Sequence, residues 1–290
     1  MTTPATAGEA LAGLARTRDN RPAEVLDEAT AIRRLYGLLD RHHPGEPAAR
    51  GSLRLLARNS GTTVAAIGVP PIAVLKVHAD PERYQGEALA YALTAPTPVI
   101  PDLICADDVS RSLLIPYLPR PVDWSEDRVP HDLVTAVAAV HCASAHYDDA
   151  TAEATTSLRI DHQAAVPAWI TDRHAWTDVL ALCGEAHGSG HVPLGHLDLK
   201  PDHLRRRADG SPALLDIETL RPDITGLIDL ISLPAVLRQA GHSVPAPYLL
   251  NLYAEATGWH GARWTAQLLR TALRAYQSAT ALATLDGLAD

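Results

Sequence analysis

Apolar positions along this chain fall into two textures. Between residues 52 and 77 they gather into the short β-favouring runs SLRLLAR, TVAAIG and PIAVLKV, separated by NSGT and VPP, residue types that favour turns. This pattern predicts a small antiparallel sheet. A helix is predicted next over residues 81–93, then PVIPDLI and SRSLLIPYLPRP, where prolines punctuate a strand running into a connector near residues 116–121. Beyond residue 125 the spacing becomes helical, as in HDLVTAVAAVHCASAHY and RWTAQLLRTALRAYQ. In the second of these, Leu268, Leu269, Ala272, Leu273 and Tyr276 recur on one helical face. The exception is residues 192–218, where two short apolar runs flank the turn ADGSP.

Upstream, residues 1–22 are small and polar with two prolines, a composition too poor in apolar groups to order itself. A helix is expected over residues 23–42, with Leu26, Ile32, Leu35 and Leu38 on one face that packs onto the body. The reading is an α+β chain in two lobes. A disordered tail (1–22) and a helical extension (23–50) lead into a β-rich lobe with one helix (51–118) and a larger, mainly helical lobe (119–290).

Composition narrows the function classes. Of the 290 residues, 47% are hydrophobic, enough for a substantial core, although phenylalanine is absent and Leu, Val, Trp and Tyr must fill it. The net charge of −9, without a long basic block, argues against binding nucleic acid or an anionic membrane. Cys105, Cys142 and Cys183 are odd in number and scattered, which fits a reducing compartment and neither a disulfide framework nor a zinc site. The first twenty residues lack a secretory pattern and no stretch reaches the length of a membrane span, so a cytoplasmic protein is expected.

Three segments carry chemistry. AVLK ends an apolar strand in Lys76, and strand alternation places Val74 and Lys76 on one face. Eleven residues later Glu87 lies inside the next helix, able to pair with Lys76, although a lysine in such a position commonly snorkels to the surface. In GHLDLKPDHL, Asp198 follows His196 by two residues, and eighteen residues after Asp198 the run ALLDIET delivers Asp216. Two carboxylates on successive loops suit a base and a metal ligand, the alternative being a pair of turn-capping aspartates. A cation for phosphates, a carboxylate to orient a hydroxyl and a carboxylate for magnesium are the needs of phosphoryl transfer.

With Lys76, Glu87, HLDLKPDH, LLDIET and the later GLIDLISL in this order, the chain resembles the aminoglycoside phosphotransferase family, of protein-kinase-like fold, over about residues 50–285. The resemblance implies an enzyme that moves a phosphoryl group from ATP, or GTP, to an alcohol with Mg2+. It further implies Asp198 as catalytic base, His196 as brace of its loop with Lys200 beside it, and Asp229 as the group that pins the loop from behind. Lys76, oriented by Glu87, would hold the α and β phosphates. Val74, Ser60 and backbone groups near Tyr117 and Leu118 would meet the nucleotide, and Asp216 with His203 would face the metal. Pro116 in that hinge has no N–H to offer.

Three departures stand out. Leu197 replaces the usual glycine. His203 replaces the asparagine five residues after the catalytic Asp, and a nitrogen ligand suits magnesium poorly. The segment RNSGTTV has only Gly61 where kinases are glycine-rich, and reads more readily as a plain hairpin turn. Glu218 in DIET stands where protein kinases carry glycine, as in small-molecule phosphotransferases. The RRR run at 205–207 is expected at a solvated edge, Trp259 and Trp264 in the helical core, and the histidines as loop braces or solvent-facing groups rather than a metal cluster.

The acceptor is expected to be a hydroxyl of a small molecule, an aminoglycoside-like or other antibiotic or natural product, placing the enzyme in antibiotic resistance or natural-product biosynthesis. After Asp229 only Glu255, Asp286 and Asp290 are acidic, thin provision for a polycation. Less charged acceptors therefore stand beside it: a nucleoside, a macrolide, or Ser/Thr of a precursor peptide awaiting dehydration. The rival from another class is a nucleotide-binding pseudokinase that regulates a partner, motivated by His203 and Leu197.

Overall fold

A computed structural model describes residues 53–58, 61–153, 155, 166–188, 191–223, 225–281 and 288, with the helical positions 29–30, 33–34 and 36–37. The expected tail, the face formed by Leu26, Ile32, Leu35 and Leu38, and Ser60 lie outside the described residues. The chain divides into two compact units at Arg120/Pro121.

The first unit is built on a five-stranded antiparallel sheet. Strands β1 (Arg54–Arg58), β2 (Thr62–Ile67) and β3 (Ala73–His78) precede helix α1 (Pro81–Thr94), and β4 (Cys105–Asp107) and β5 (Ser112–Pro116) follow it. Their spatial order is β1-β2-β3-β5-β4. Leu75 faces Ala65 and Leu114, whereas Lys76 faces Val64 and Leu113. The pleat thus separates an apolar face, where Ala65, Ile67, Ala73, Leu75, Val77 and Leu114 cluster, from the face that carries Lys76. Tyr36 of the upstream helical positions packs against that cluster, and Arg34 donates to the His78 carbonyl oxygen at 3.2 Å. Helix α1 opens with Pro81 after Asp80, whose side chain accepts from the Glu82 N–H, a favourable cap.

The second unit is mainly helical. Helices α2 (Val129–His141) and α3 (Arg173–His187) come before the loop region, which holds the short strands β6 (Leu194–Gly195), β7 (Leu204–Arg206), β8 (Pro212–Leu214) and β9 (Arg221–Pro222). Helices α4 (Leu227–Gln239), α5 (Ala246–Gly258) and α6 (Ala266–Thr280) complete it. In α6 the buried set is Leu269, Ala272, Leu273, Tyr276 and Ala279, one stripe at helical spacing that packs on α3. Helix α2 is buried almost all round because α5 covers one side and the loop strands another.

The ADGSP turn joins β7 to β8, paired as Leu204↔Leu214, Arg205↔Ala213 and Arg206↔Pro212. The RRR run departs from the expected solvated edge. Arg206 is 7% exposed, and its guanidinium donates to Asp132 at 2.5 Å and Glu126 at 3.2 Å. Strand alternation turns this one arginine of the three inward, where two carboxylates compensate it. Trp264 is buried and donates to His187 Nε2, but Trp259 is 61% exposed and forms no part of the core. Among the described residues, no helix is long and apolar enough to cross a membrane, and no disulfide joins the three cysteines.

Candidate active site

In the first unit, Lys76 is 7% exposed, so it does not snorkel to the surface. Its Nζ lies 2.9 Å from Glu87 Oε2 and donates to Oε1 at 3.1 Å. A third group, not singled out in the sequence, joins them: the fully buried His78 places Nε2 2.8 Å from Glu87 Oε2, at ion-pair distance without hydrogen-bond alignment. The signal that could have found it is the same alternation that pairs Val74 with Lys76, carried two residues further. Val74 is half-buried on this face. The Tyr117 N–H is occupied by the Ile72 carbonyl at 3.0 Å.

In the second unit, the segment after β6 is tied down from behind. Asp229, in the first turn of α4, accepts from the His196 N–H at 2.5 Å and the Leu197 N–H at 2.8 Å. His141 Nε2 lies 3.0 Å from Asp229 Oδ2, and His141 Nδ1 lies 2.6 Å from Tyr253 Oη. An ionised carboxylate only accepts, so in the neutral imidazole Nε2 carries the proton and Nδ1 accepts from the Tyr253 hydroxyl. Burial opposes ionisation of Asp229, but the His141 hydrogen bond, the favourable electrostatics of His141 and His196 and the Leu197 N–H outweigh it and hold the carboxyl below its usual range. His196 Nε2 meets the Leu215 carbonyl at 2.9 Å while the Thr219 hydroxyl donates to the His196 carbonyl at 2.7 Å, stitching this loop to the one that bears Asp216.

Leu197 adopts φ 64°, in the left-handed region, as does Asp216 at φ 57°. The leucine thus occupies a backbone conformation that glycine adopts without cost, a physical reason for glycine at that position. Its side chain folds back over Gly195, where an added Cβ would lie 2.6 Å from a Leu197 methyl.

These constraints bring Asp198, His203 and Asp216 together, one potential ligand atom from each within 4.8 Å of the others. His203 Nε2 is 3.4 Å from Asp216 Oδ2, and Lys200 Nζ is 2.7 Å from Asp198 Oδ2. Burial lowers the His203 pKa against the opposing pull of the Asp216 carboxylate, which keeps its lone pair available near neutral pH. The hydrogen bond to Asp198 raises that of Lys200. Two carboxylates and a neutral imidazole are a donor set that fits a divalent cation, with the imidazole favouring Mn2+ over Mg2+. His191, the third histidine of the sequence run, does not join the cluster.

No family model and no curated protein matches the sequence. Solved structures do. The chain is similar to macrolide 2′-phosphotransferase MphH from Brachybacterium faecium, with 22% identity, 86% of this chain and 89% of that chain covered, and a TM-score of 0.52. It is also similar to an ethanolamine kinase from Plasmodium vivax, with 11% identity, 97% and 90% covered, and a TM-score of 0.51. A further likeness is to an aminoglycoside phosphotransferase from Alicyclobacillus acidocaldarius, with 13% identity, 91% and 84% covered, and a TM-score of 0.46. The fold of this chain is therefore the protein-kinase-like fold found in small-molecule phosphotransferases.

Proposed function

We propose that this protein is an ATP-dependent phosphotransferase that moves the γ-phosphoryl group to a hydroxyl of a small molecule. The observation that carries the reading is the convergence of Asp198, His203 and Asp216 on a loop whose backbone Asp229 clamps. Asp198 is the orienting base: its carboxylate takes the acceptor O–H proton as the oxygen attacks the γ-phosphorus, the β–γ bridging P–O bond breaks, and ADP leaves. Asp216 and His203 would hold a divalent cation, which when bound neutralises phosphate charge. Lys76, kept oriented by Glu87, serves the phosphates, and Lys200 adds a cation beside Asp198. MphH and the Plasmodium kinase bear names of enzymes that act on small-molecule alcohols, and this supports the acceptor class.

The test is mass spectrometry of aminoglycoside, macrolide, nucleoside and Ser/Thr-peptide acceptors incubated with ATP and Mg2+ or Mn2+, with Asp198→Ala in parallel. A phosphoryl mass gain on a small molecule that disappears in the variant is expected. Nucleotide binding without transfer to any acceptor in either metal would instead favour the pseudokinase, and a gain on the peptide alone would move the acceptor to a precursor chain.

A further inference from the structure

Two histidines outside the site described above meet on the surface of the second unit. His146 ends the short 3-10 helix Ala143–His146 that follows α2, and His260 lies just past the end of α5. His146 Nε2 stands 3.5 Å from His260 Nδ1, with ring centroids 5.8 Å apart and ring planes at 79°. The two residues are 114 positions apart, so the packing of α2 on α5 makes the contact and no local pattern in the sequence announces it. Both are open to water, His146 being exposed and His260 half-buried.

The contact is poor as a hydrogen bond and apt as a chelate. A ring N–H normally sits ~2.7–3.2 Å from its acceptor, so a separation of 3.5 Å gains little. Imidazole nitrogens bind zinc at about 2.0–2.1 Å in tetrahedral geometry, which sets two such nitrogens roughly 3.3–3.4 Å apart. The backbone on each side is already held. The Ala145 N–H donates to the Cys142 carbonyl at 3.0 Å, and the N–H groups of His260 and Ala262 both donate to the Thr257 carbonyl, at 3.0 and 3.2 Å. Only two side chains then need to turn to admit an ion, which keeps the ordering cost of binding low. Burial, and after it the neighbouring His146 ring, lowers the His260 pKa and favours the neutral, ligating form of that ring near neutral pH. Among the described residues no cysteine, carboxylate or further histidine makes a three-residue cluster with the pair.

We infer that His146 Nε2 and His260 Nδ1 together bind a divalent transition-metal ion of the Zn2+ or Cu2+ kind, with water filling the rest of its shell. Two imidazoles without a carboxylate select such an ion over Mg2+ or Ca2+, which prefer oxygen. The pair differs in kind from Asp198, His203 and Asp216, whose two carboxylates can serve a hard cation, and the inference does not rest on the phosphotransfer reading. An ion held here staples the turn after α2 to the turn after α5. These are the helices whose His141 and Tyr253 stand behind Asp229. Since only the folded chain brings the two rings together, the ion stabilises the protein in proportion to its occupancy.

The probes are Cu2+ and Zn2+, titrated into the full chain at about pH 7.5 with Mg2+ in excess. Trp259 adjoins His260 in sequence and is 61% exposed, so it reports locally, because bound Cu2+ quenches a nearby indole. The signal is the difference in quenching between the parent protein and Trp259→Phe. Saturable quenching is expected, weakened at least tenfold by His146→Asn and by His260→Asn alike, since a chelate needs both nitrogens. Calorimetry with Zn2+ should lose one binding event in each variant, and Zn2+ should raise the unfolding temperature of the parent protein further than that of either variant. A loss confined to one of the two variants, or found in neither, overturns the inference. A measurement on the parent protein alone covers a variant that fails to fold. Acidification to about pH 5.5 protonates imidazole and should release the ion, and Trp259 quenching that survives there overturns the inference as well.

Discussion

At the scale of single residues, His203 is where the chain parts from the motif it resembles. Burial lowers its pKa against the pull of Asp216, 3.4 Å away, and on the proposed reading it offers the metal a nitrogen in place of an oxygen. Mn2+ is expected to support transfer better than Mg2+, and His203→Asn should reverse the order by roughly tenfold, an effect of about 1.4 kcal/mol. Mn2+ binding followed by electron paramagnetic resonance checks this apart from turnover; unchanged Mn2+ affinity in the variant would remove His203 from the metal set. The pairing of Lys76 with Glu87 and the nearness of Asp198 to Asp216 were legible because their order and spacing are local properties of the chain. His141 and Tyr253 were not, because each acts through a partner far away in sequence: Tyr253 meets His141 across 112 residues; His78, nine residues before Glu87, lay within reach of strand alternation two positions past Lys76.

At the scale of elements, Asp229 at the start of α4 governs the loop that carries Asp198. Its folded-state pKa lies below the ordinary carboxylate value, so its contribution to stability is fully present above about pH 4 and is lost as pH falls towards the lower folded value. Asp229→Asn should cost about 3 kcal/mol at pH 7, and the gap from the parent protein should close as the pH drops below about 4; thermal unfolding across pH 3–7 measures it. The β7 strand offers a second case. Arg206→Ala leaves the buried Asp132 carboxylate with the exposed Arg128 and the half-exposed His131, 3.8 Å away, and should destabilise by about 3 kcal/mol, whereas Arg205→Ala should stay within about 0.5 kcal/mol. Denaturant unfolding of the two variants tells them apart. The sequence showed three equivalent arginines, and only the register Arg206↔Pro212 and the acids of the neighbouring α2 segment distinguish the middle one.

At the scale of the whole molecule, two textures of apolar spacing were enough to separate a β-rich unit from a helical one, because strand and helix periods are properties of the backbone. The antiparallel sheet of β1 to β3 and the helix after β3 follow from the same runs, whereas the short β4 and the placing of β5 between β3 and β4 do not. The ring cluster of Trp169, Trp176 and Tyr276 lay beyond such reading, because only the packing of α3 against α6 brings Tyr276 beside the residues at the start of α3. If the fold binds nucleotide, ATP with Mn2+ at 100 times its dissociation constant should stabilise the protein by about 2.7 kcal/mol. Lys76→Ala should lose most of that increment and Asp198→Ala should keep it, a contrast that differential scanning calorimetry reads directly.

The most direct test of the account is transfer itself: ATP labelled in the γ-phosphoryl group, Mn2+, a panel of hydroxyl acceptors, and the parent protein beside Asp198→Ala. The account predicts label on a small-molecule alcohol with the parent protein and a loss of at least a thousandfold with the variant. Transfer that continues near its normal rate in Asp198→Ala would contradict it.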